Sequence, residues 1–600
     1  MPKRWHIRPH DRAAVARLEH EAGVPSIVAA LLAARGVTDP AEVKAFLDGT
    51  LADLRDPEAL PGVPEAADRI LAAARAGRRI VVYGDYDADG MCATAILMSC
   101  LEALDAQAAW YVPDRFEEGY GLNAAALETL AAGGAGLVVT VDCGIASVAE
   151  ADRARELGLE LIVTDHHSLA DALPAADVLV HPRLPGTAYP FGELCGAGVA
   201  LKLAWAIATR AAGAKRVTPR LREVLLRGIG LAALGTVADV VPLLDENRIF
   251  VRHGLECLRQ RGGPGIARLI ELAGLAEKSA LDAEDVAFRL APRLNAAGRL
   301  GQAARGIELL TTADAARAVT LADYLHELNT QRESEERSIQ LAATKQARER
   351  FDPEADAALV LADRGWHAGV IGIVAGRLAE RFHRPVVMIA QDAHQGRPAI
   401  GSVRSVPGFD VHAALVACRD LLVTCGGHAA AAGLRIEDAN IAAFRAAFCG
   451  EVDRRLSADL RRAQVTIDGE TSLGGLTLDA VEQVERLAPF GQANRRPVLC
   501  ASAVSLAEPP RTIGAGGKHL AMQLVQHGRK VRGVAFGAAE WLPHLPSPGQ
   551  PFHVAFKPKI NEYRGRRTAE VEVIDWRPDG IDVGLDLPEP ALAAEGQPAT

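Results

Sequence analysis

The 600-residue chain has no CxxC pair, and its nine cysteines follow no regular spacing, which argues against a zinc cluster and a disulfide framework. Its apolar stretches are short or broken by Gly and charge. They fall well below the ~20 residues of a membrane helix, so no span is expected. The N-terminal "MPKRWHIRPHDRAAVARL" lacks an apolar core and a small-residue cleavage site, so a secretory signal is not expected and the protein is placed in the cytoplasm. No GK[ST] follows the segment "GDYDADG", which excludes a phosphate loop of the NTPase kind and any expected use of ATP. A basic excess is missing too, since the formal net charge is -10. That does not suggest a nucleic-acid binder, yet it excludes none, because binding follows local basic surface and a carboxylate cluster adds negative charge that bound ions cancel.

What is present is the composition of a globular protein, 49% hydrophobic and 24% charged, in a chain too long for one core. From about Pro64 to Val180 short β-branched runs ("RRIVVYG", "GLVVTVD", "LELIVTD", "ADVLVHP") alternate with alanine-rich amphipathic segments. This alternation predicts βαβ units and a parallel sheet, where ligands gather at the carboxyl ends of the strands. Residues Asp314 to Arg350 contain no Gly or Pro and carry Leu321, Leu325 and Leu328 at helical spacing, which predicts a long connecting helix. A second α/β segment runs from about Asp356 to Gly450. Beyond Gln464, "FHVAFKPKI" and "RTAEVEVIDW" alternate apolar with polar or basic residues, as in a small barrel or sandwich. A loose Ala/Pro/Glu-rich tail ends the chain.

The predicted strand tips concentrate acids. Asp85, Asp87 and Asp89 follow the first run, Asp142 the second, and Asp165, His166 and His167 the third, while Asp239 interrupts the apolar "GTVADVVPL". Each alone is ordinary turn chemistry. Together they reach one sheet edge, where neighbouring carboxylates repel unless cations lie between them. Mixed Asp and His ligands suit Mn²⁺, or Mg²⁺ with less reliance on imidazole, and several carboxylates around one point imply two ions. Cys143 is expected to be a small buried residue.

The triplet Asp165-His166-His167, "GDYDADG", "VDCG" and "GTVADVVPL" together resemble the DHH phosphoesterase superfamily. "GWHAGVIGIVAGRLAERFHRPVV", "GSVRS" and "CGGHAAAAG" resemble its companion DHHA1 domain. "PRLNAAGR" at Pro292 to Arg299, the long helix and a C-terminal segment with "LAPFGQANRRPVL" narrow the resemblance to the branch that degrades single-stranded DNA from the 5′ end.

The resemblance implies an α/β multidomain protein with a parallel-sheet DHH phosphoesterase core, a long connecting helix, a smaller α/β DHHA1 domain and a C-terminal OB-fold β-barrel. The expected segments are an N-terminal helical extension (1–63), the DHH catalytic domain (64–310), the connecting helix (311–350), the DHHA1 substrate-binding domain (351–455), the OB fold (456–580) and a flexible tail (581–600). It makes Asp87, Asp89, Asp142, His166 and Asp239 the expected metal ligands, with Asp142 as bridge. His167 would sit beside the scissile phosphate, and Asp165 would support the histidine pair from behind. Asp85 is left unassigned, since small phosphatase relatives carry a histidine where this chain has Tyr83. The implied reaction is two-metal hydrolysis of phosphodiesters with no covalent intermediate.

For the polymer, the expected contacts are Arg293, Asn295 and Arg299, then Ser402 and Arg404 sensing the 5′ end, with Gly426, Gly427 and His428 nearby. In the barrel, Lys557, Lys559, Arg564, Arg566 and Arg567 with Phe556 and Tyr563 have the composition of a strand-binding surface. The expected partners are single-stranded DNA, a single-strand-binding protein and a RecQ-type helicase, with the chain monomeric. Two alternatives stand beside this reading: a phosphodiesterase for short oligonucleotides or cyclic dinucleotides, and an inactive DNA-binding scaffold. The first has no need of the extra segments, and the second would have lost its ligands.

Overall fold

The computed structural model describes residues 3–114, 118–119, 121–213, 216–352, 356–392, 396–457, 460–563 and 565–580. The expected tail, 581–600, lies outside them, as do Arg564 and the side chain of Tyr563. Two compact units emerge. One comprises Thr50–Arg461 with Pro489–Asn494; the other comprises the described residues up to Gly49, Arg462–Ala488 and those from Arg495 on.

At the centre of the first unit the β-branched runs form a five-stranded, wholly parallel sheet, ordered Ala108–Tyr111, Ile80–Tyr83, Leu137–Thr140, Glu160–Thr164, Val178–Val180. Strands Ile80–Tyr83 and Leu137–Thr140 are buried at every residue, because helices cover both faces. The chain steps from Ile80–Tyr83 outward to Ala108–Tyr111 and then returns across it to Leu137–Thr140. That reversal makes a crevice at the carboxyl ends of these two strands, between the loops carrying Asp85–Asp87 and Asp142. Helix Ala88–Ala103 is almost wholly buried and packs against helices Gly196–Ala212 and Pro219–Ala238.

The helix expected from Asp314 spans Ala315–Arg350, with Asp314 as its cap, accepting from the amides of Ala316 (2.8 Å) and Arg317 (3.2 Å). At 1.5 Å per residue it is about 54 Å long. Leu321, Leu325 and Leu328 bury against the catalytic core, while Ile339, Ala343 and Ala347 bury against the second domain. One helix thus ties two cores. That domain is a mixed sheet ordered Thr424–Gly427, Ala431–Ile436, Ala399–Arg404, Val386–Ala390, Leu359–Asp363, in which only the last pair is parallel.

In the second unit, strand Leu499–Leu506 pairs with both His519–Gln526 and Phe552–Tyr563. Arg529–Ala535 pairs with His519–Gln526 and, in parallel, with Arg566–Pro578, which returns to Phe552–Tyr563. These five strands close a ring in the order 1-2-3-5-4, the arrangement of an OB fold. The N-terminal stretch differs from a purely helical extension. Helices Arg12–Glu21, Ser26–Ala33 and Pro40–Asp48 are present, but Arg4–Ile7 is a strand parallel to Gln464–Ile467. The reason is Trp5, which is 2% exposed in a small core with Val465, Ile467, Cys500 and Ala555. Residues up to Gly49 therefore group with the OB unit and those from Thr50 with the catalytic unit.

Candidate metal centre

Each acid reaches the crevice for a local reason. Asp87 caps helix Ala88–Ala103, accepting from the amides of Asp89 (2.8 Å) and Gly90 (3.0 Å). Asp89, in the first turn, accepts from Gly196 N (2.7 Å) and Ala197 N (3.0 Å) at the start of helix Gly196–Ala212. Asp142 follows its strand at φ 65°, and Val240, just after Asp239, lies at φ 62° with 64% of its surface exposed. A β-branched residue at positive φ is a strained outlier, of the kind that gathers at functional sites.

The groups converge. His166 Nε2 lies 3.1 Å from Asp142 Oδ1, 3.6 Å from Asp239 Oδ2 and 4.0 Å from Asp89 Oδ2. It is buried and makes no hydrogen bond. Oxygens of Asp85, Asp87 and Asp142 also come within 4.8 Å of one another, as do ligand atoms of Asp142, His166 and His167. Burial, then the neighbouring carboxylates, push Asp89, Asp142 and Asp239 above the carboxylate range. Burial, then the His167 charge, holds His166 far below the ordinary imidazole value, as a neutral imidazole.

This donor set fits divalent cations. It offers several anionic oxygens and one neutral imidazole, more acid than the single charged imidazole of His167 can balance, and the unpaired Nε2 of His166 faces three carboxylates at once. Asp142 belongs to two of the three close groups, which is the position a bridging carboxylate needs.

Asp165 faces the other way. It accepts from the amides of Ile145 (2.9 Å), His166 (2.7 Å) and His167 (3.1 Å), and its Oδ1 lies 2.7 Å from His167 Nδ1. Burial alone would raise its pKa, but the His167 hydrogen bond and charge hold it at about 2. Burial likewise disfavours His167 as a cation, and Asp165 overrides that, lifting it to about 9. A charged imidazole beside the centre results.

The substrate residues named on sequence divide. Asn295 Oδ1 accepts from Ala88 N (2.8 Å), so it fixes the loop between Asp87 and Asp89. Arg293, expected at the phosphate, instead turns its guanidinium toward Arg289 O, Leu272 O (3.3 Å) and His326 Nδ1 (3.3 Å), clamping its helix to the connecting helix. Arg299 reaches across to Gly369 O (3.4 Å) of the second domain. There Arg404 donates to Ser402 Oγ (3.0 Å), and both side chains lie against Gly372, at the start of helix Ile371–Phe382. Gly427 and His428 are exposed at the end of strand Thr424–Gly427, with Gly427 at φ 137°.

In the barrel, Phe556 is fully buried and cannot stack on a base. Lys559 pairs with Glu572, and Arg567 with Glu482 at 2.6 Å. Among the described residues of the barrel the exposed aromatic is Phe536, 61% accessible and edge-on to His519 at 5.3 Å.

Sequence reasoning missed other groups. Beyond the Gly196 and Ala197 amides, His181 Nε2 lies 2.9 Å from His167 O, and Arg183 donates to His166 O at 2.5 Å. The only signal for this pair was "VHPR" at the end of the last strand. Gly235 is also needed, since a Cβ there would sit 2.2 Å from Asp89 Oδ1.

Comparison with known proteins agrees with this geometry. The DHH family N-terminal domain matches residues 79–229, the DHHA1 domain 356–453 and the RecJ OB domain 467–575. The chain is 37% identical over 575 residues to the single-stranded-DNA-specific exonuclease RecJ of Bacillus subtilis, covering 95% of this chain and 70% of that one. It is 36% identical to RecJ of Escherichia coli, covering 92% and 96%. A crystal structure of RecJ with Mn²⁺ from Thermus thermophilus matches with a TM-score of 0.80 at 34% identity, over 96% of this chain and 79% of that one.

Proposed function

The chain belongs to the RecJ family, and from that premise we propose that it degrades single-stranded DNA from the 5′ end to mononucleotides, hydrolysing phosphodiester bonds with Mn²⁺ or Mg²⁺, in DNA recombination and repair. The observation that carries the reading is the buried His166 Nε2, unpaired among three carboxylates at the crevice of a DHH sheet. Asp87, Asp89, Asp142, His166 and Asp239 are the residues that would hold two ions, with Asp142 shared. When bound, such ions neutralise the phosphate and make water nucleophilic at neutral pH.

The chain's own groups do the rest. Asp165 fixes the orientation of His167 and keeps it protonated, so its Nε2–H faces the charge that develops on the phosphate. Asn295 holds the Asp87–Asp89 turn in place. Ser402, Arg404 and the amide end of helix Ile371–Phe382 form an anion site suited to the 5′ terminus, with Arg299 linking that site to the catalytic domain. Gly427 and His428 border the same sheet as further strand contacts. The OB face binds the strand without sequence preference, with Phe536 replacing Phe556 as its stacking residue. No helix among the described residues is long and apolar enough to cross a membrane. The reading places a monomer in the cytoplasm, working with a single-strand-binding protein and a RecQ-type helicase.

The test is degradation of a 3′-labelled oligodeoxynucleotide in Mn²⁺, single-stranded against duplex. Shortening from the 5′ end on single strands only is expected. No cleavage with binding intact would favour a scaffold, and cleavage of very short oligonucleotides alone would favour a small-substrate phosphodiesterase.

A further inference from the structure

Residues Val286–Leu290 form a single π turn running straight into helix Ala291–Arg299. π turns are rare and concentrate at functional sites. This one carries Phe288, which is 78% exposed, the most accessible large hydrophobic side chain among the described residues. Phe288, Pro292, Asn295 and Arg299 recur at intervals of four, three and four, the spacing of one helical face. Phe288 and Pro292 line a cleft whose other lining residues are Arg332, Glu333, Glu336 and Arg337 of the connecting helix and Arg377 of helix Ile371–Phe382.

The chemistry of this cleft selects its occupant. Glu336 already pairs with both Arg332 and Arg377, so little cationic charge is left inside for a phosphate. Beside these paired charges the lining offers an aromatic side chain and a proline ring, while Arg337, with 77% of its side chain exposed, reaches toward Glu333. A flat, uncharged, polarisable ring whose linked phosphate stays outside fits such a place: a nucleobase.

The helical stripe also supplies a direction. Arg299 touches the second domain beside Ser402 and Arg404, and Asn295 holds the loop of Asp87 and Asp89. Phe288 lies seven residues before Asn295, about 10 Å along the axis at 1.5 Å per residue. That equals about three stacked nucleotides at ~3.4 Å each. We propose that Phe288 is a stacking platform for a base about three nucleotides on the 3′ side of the scissile bond, holding the incoming strand in line with the metal centre. The proposal rests on the single-strand exonuclease reading.

The experiment uses the full-length protein. Oligonucleotides carrying one abasic site at each of the first several positions are digested by the wild type, Phe288→Ala and Phe288→Trp. Separately, strands with 2-aminopurine at the same positions are bound without divalent ions, and quenching is recorded. The wild type is expected to show a rate minimum and maximal quenching near the same position. Phe288→Ala should lose both and bind strand on the order of tenfold more weakly, and Phe288→Trp should restore both. Equal abasic profiles and equal quenching in wild type and Phe288→Ala overturn the stacking role. Absence of any cleavage by the wild type, with position-dependent quenching intact, would refute the exonuclease reading and leave the platform standing.

Discussion

Among the groups of buried charge in the catalytic unit, two are balanced in opposite ways. At one, Lys202 and Glu246 are both fully buried. Glu246 accepts from Lys202, the Tyr189 hydroxyl and Arg55 N (3.0 Å), while Lys202 also donates to Arg55 O at 2.6 Å. Burial pulls Lys202 below its usual range, and the Glu246 charge opposes that pull. Every charge there has a protein partner. At the other, Asp89, Asp142 and Asp239 crowd a neutral His166, and the nearby cations are already engaged, His167 with Asp165 and Arg183 with the His166 carbonyl. A buried cluster whose counter-charges come from the chain serves the fold, and one whose counter-charge must come from outside serves chemistry.

Removing one member from each cluster should break the comparison most sharply. Asp142→Asn keeps shape, and Asn tolerates the positive φ of this position. Activity on single strands should fall by more than the ~100-fold that outer partners of metal ligands are worth, measured as release of acid-soluble nucleotide. Glu246→Ala strands a buried Lys202 and should lower the denaturant-unfolding free energy by about 3–5 kcal/mol, with activity per folded molecule retained. Gly235→Ala drives a methyl into the Asp89 carboxylate while leaving every proposed ligand residue in the sequence. A displacement near 1 Å should cost about 100-fold in kcat, and an unchanged kcat would show that Asp89 is not held as described. The smallest effect concerns the OB face. Phe536→Ala should weaken strand binding by about 1–3 kcal/mol, whereas Lys559→Ala, whose charge is already paired with Glu572, should change it by well under 1 kcal/mol; fluorescence anisotropy of a labelled strand reads both.

Legibility in the sequence followed the same division. The convergence of the acids and His166 could be read because strand ends in a parallel sheet are fixed by the alternation of β-branched runs and helices, and Asp87, Asp142 and His166 each follow such a run. What escaped was contributed from a distance. The amides of Gly196 and Ala197 reach Asp89 from more than a hundred residues away, and nothing local to "ELCGAGVA" marks that approach. The carbonyl partners of Arg293 were not legible either, because an arginine in a charged motif looks free until they are known. Phe556 failed for a reason already in the pattern. Phe552, Val554 and Phe556 share one face of their strand, and that face is the core, while Lys557 lies on the other. Phe536, one residue past strand Arg529–Ala535, carries no such alternation signal.

The most direct test of the account is the thermal unfolding midpoint of wild type and Asp142→Asn, each with and without Mn²⁺. Without metal, Asp142→Asn should unfold at the higher temperature, because it loses one of several mutually repelling carboxylates. Mn²⁺ at a hundredfold excess over its dissociation constant should then stabilise the wild type by about 2.7 kcal/mol per site and the variant by distinctly less. A wild type indifferent to Mn²⁺, or a variant stabilised equally, would contradict the claim that this cluster is built to hold cations.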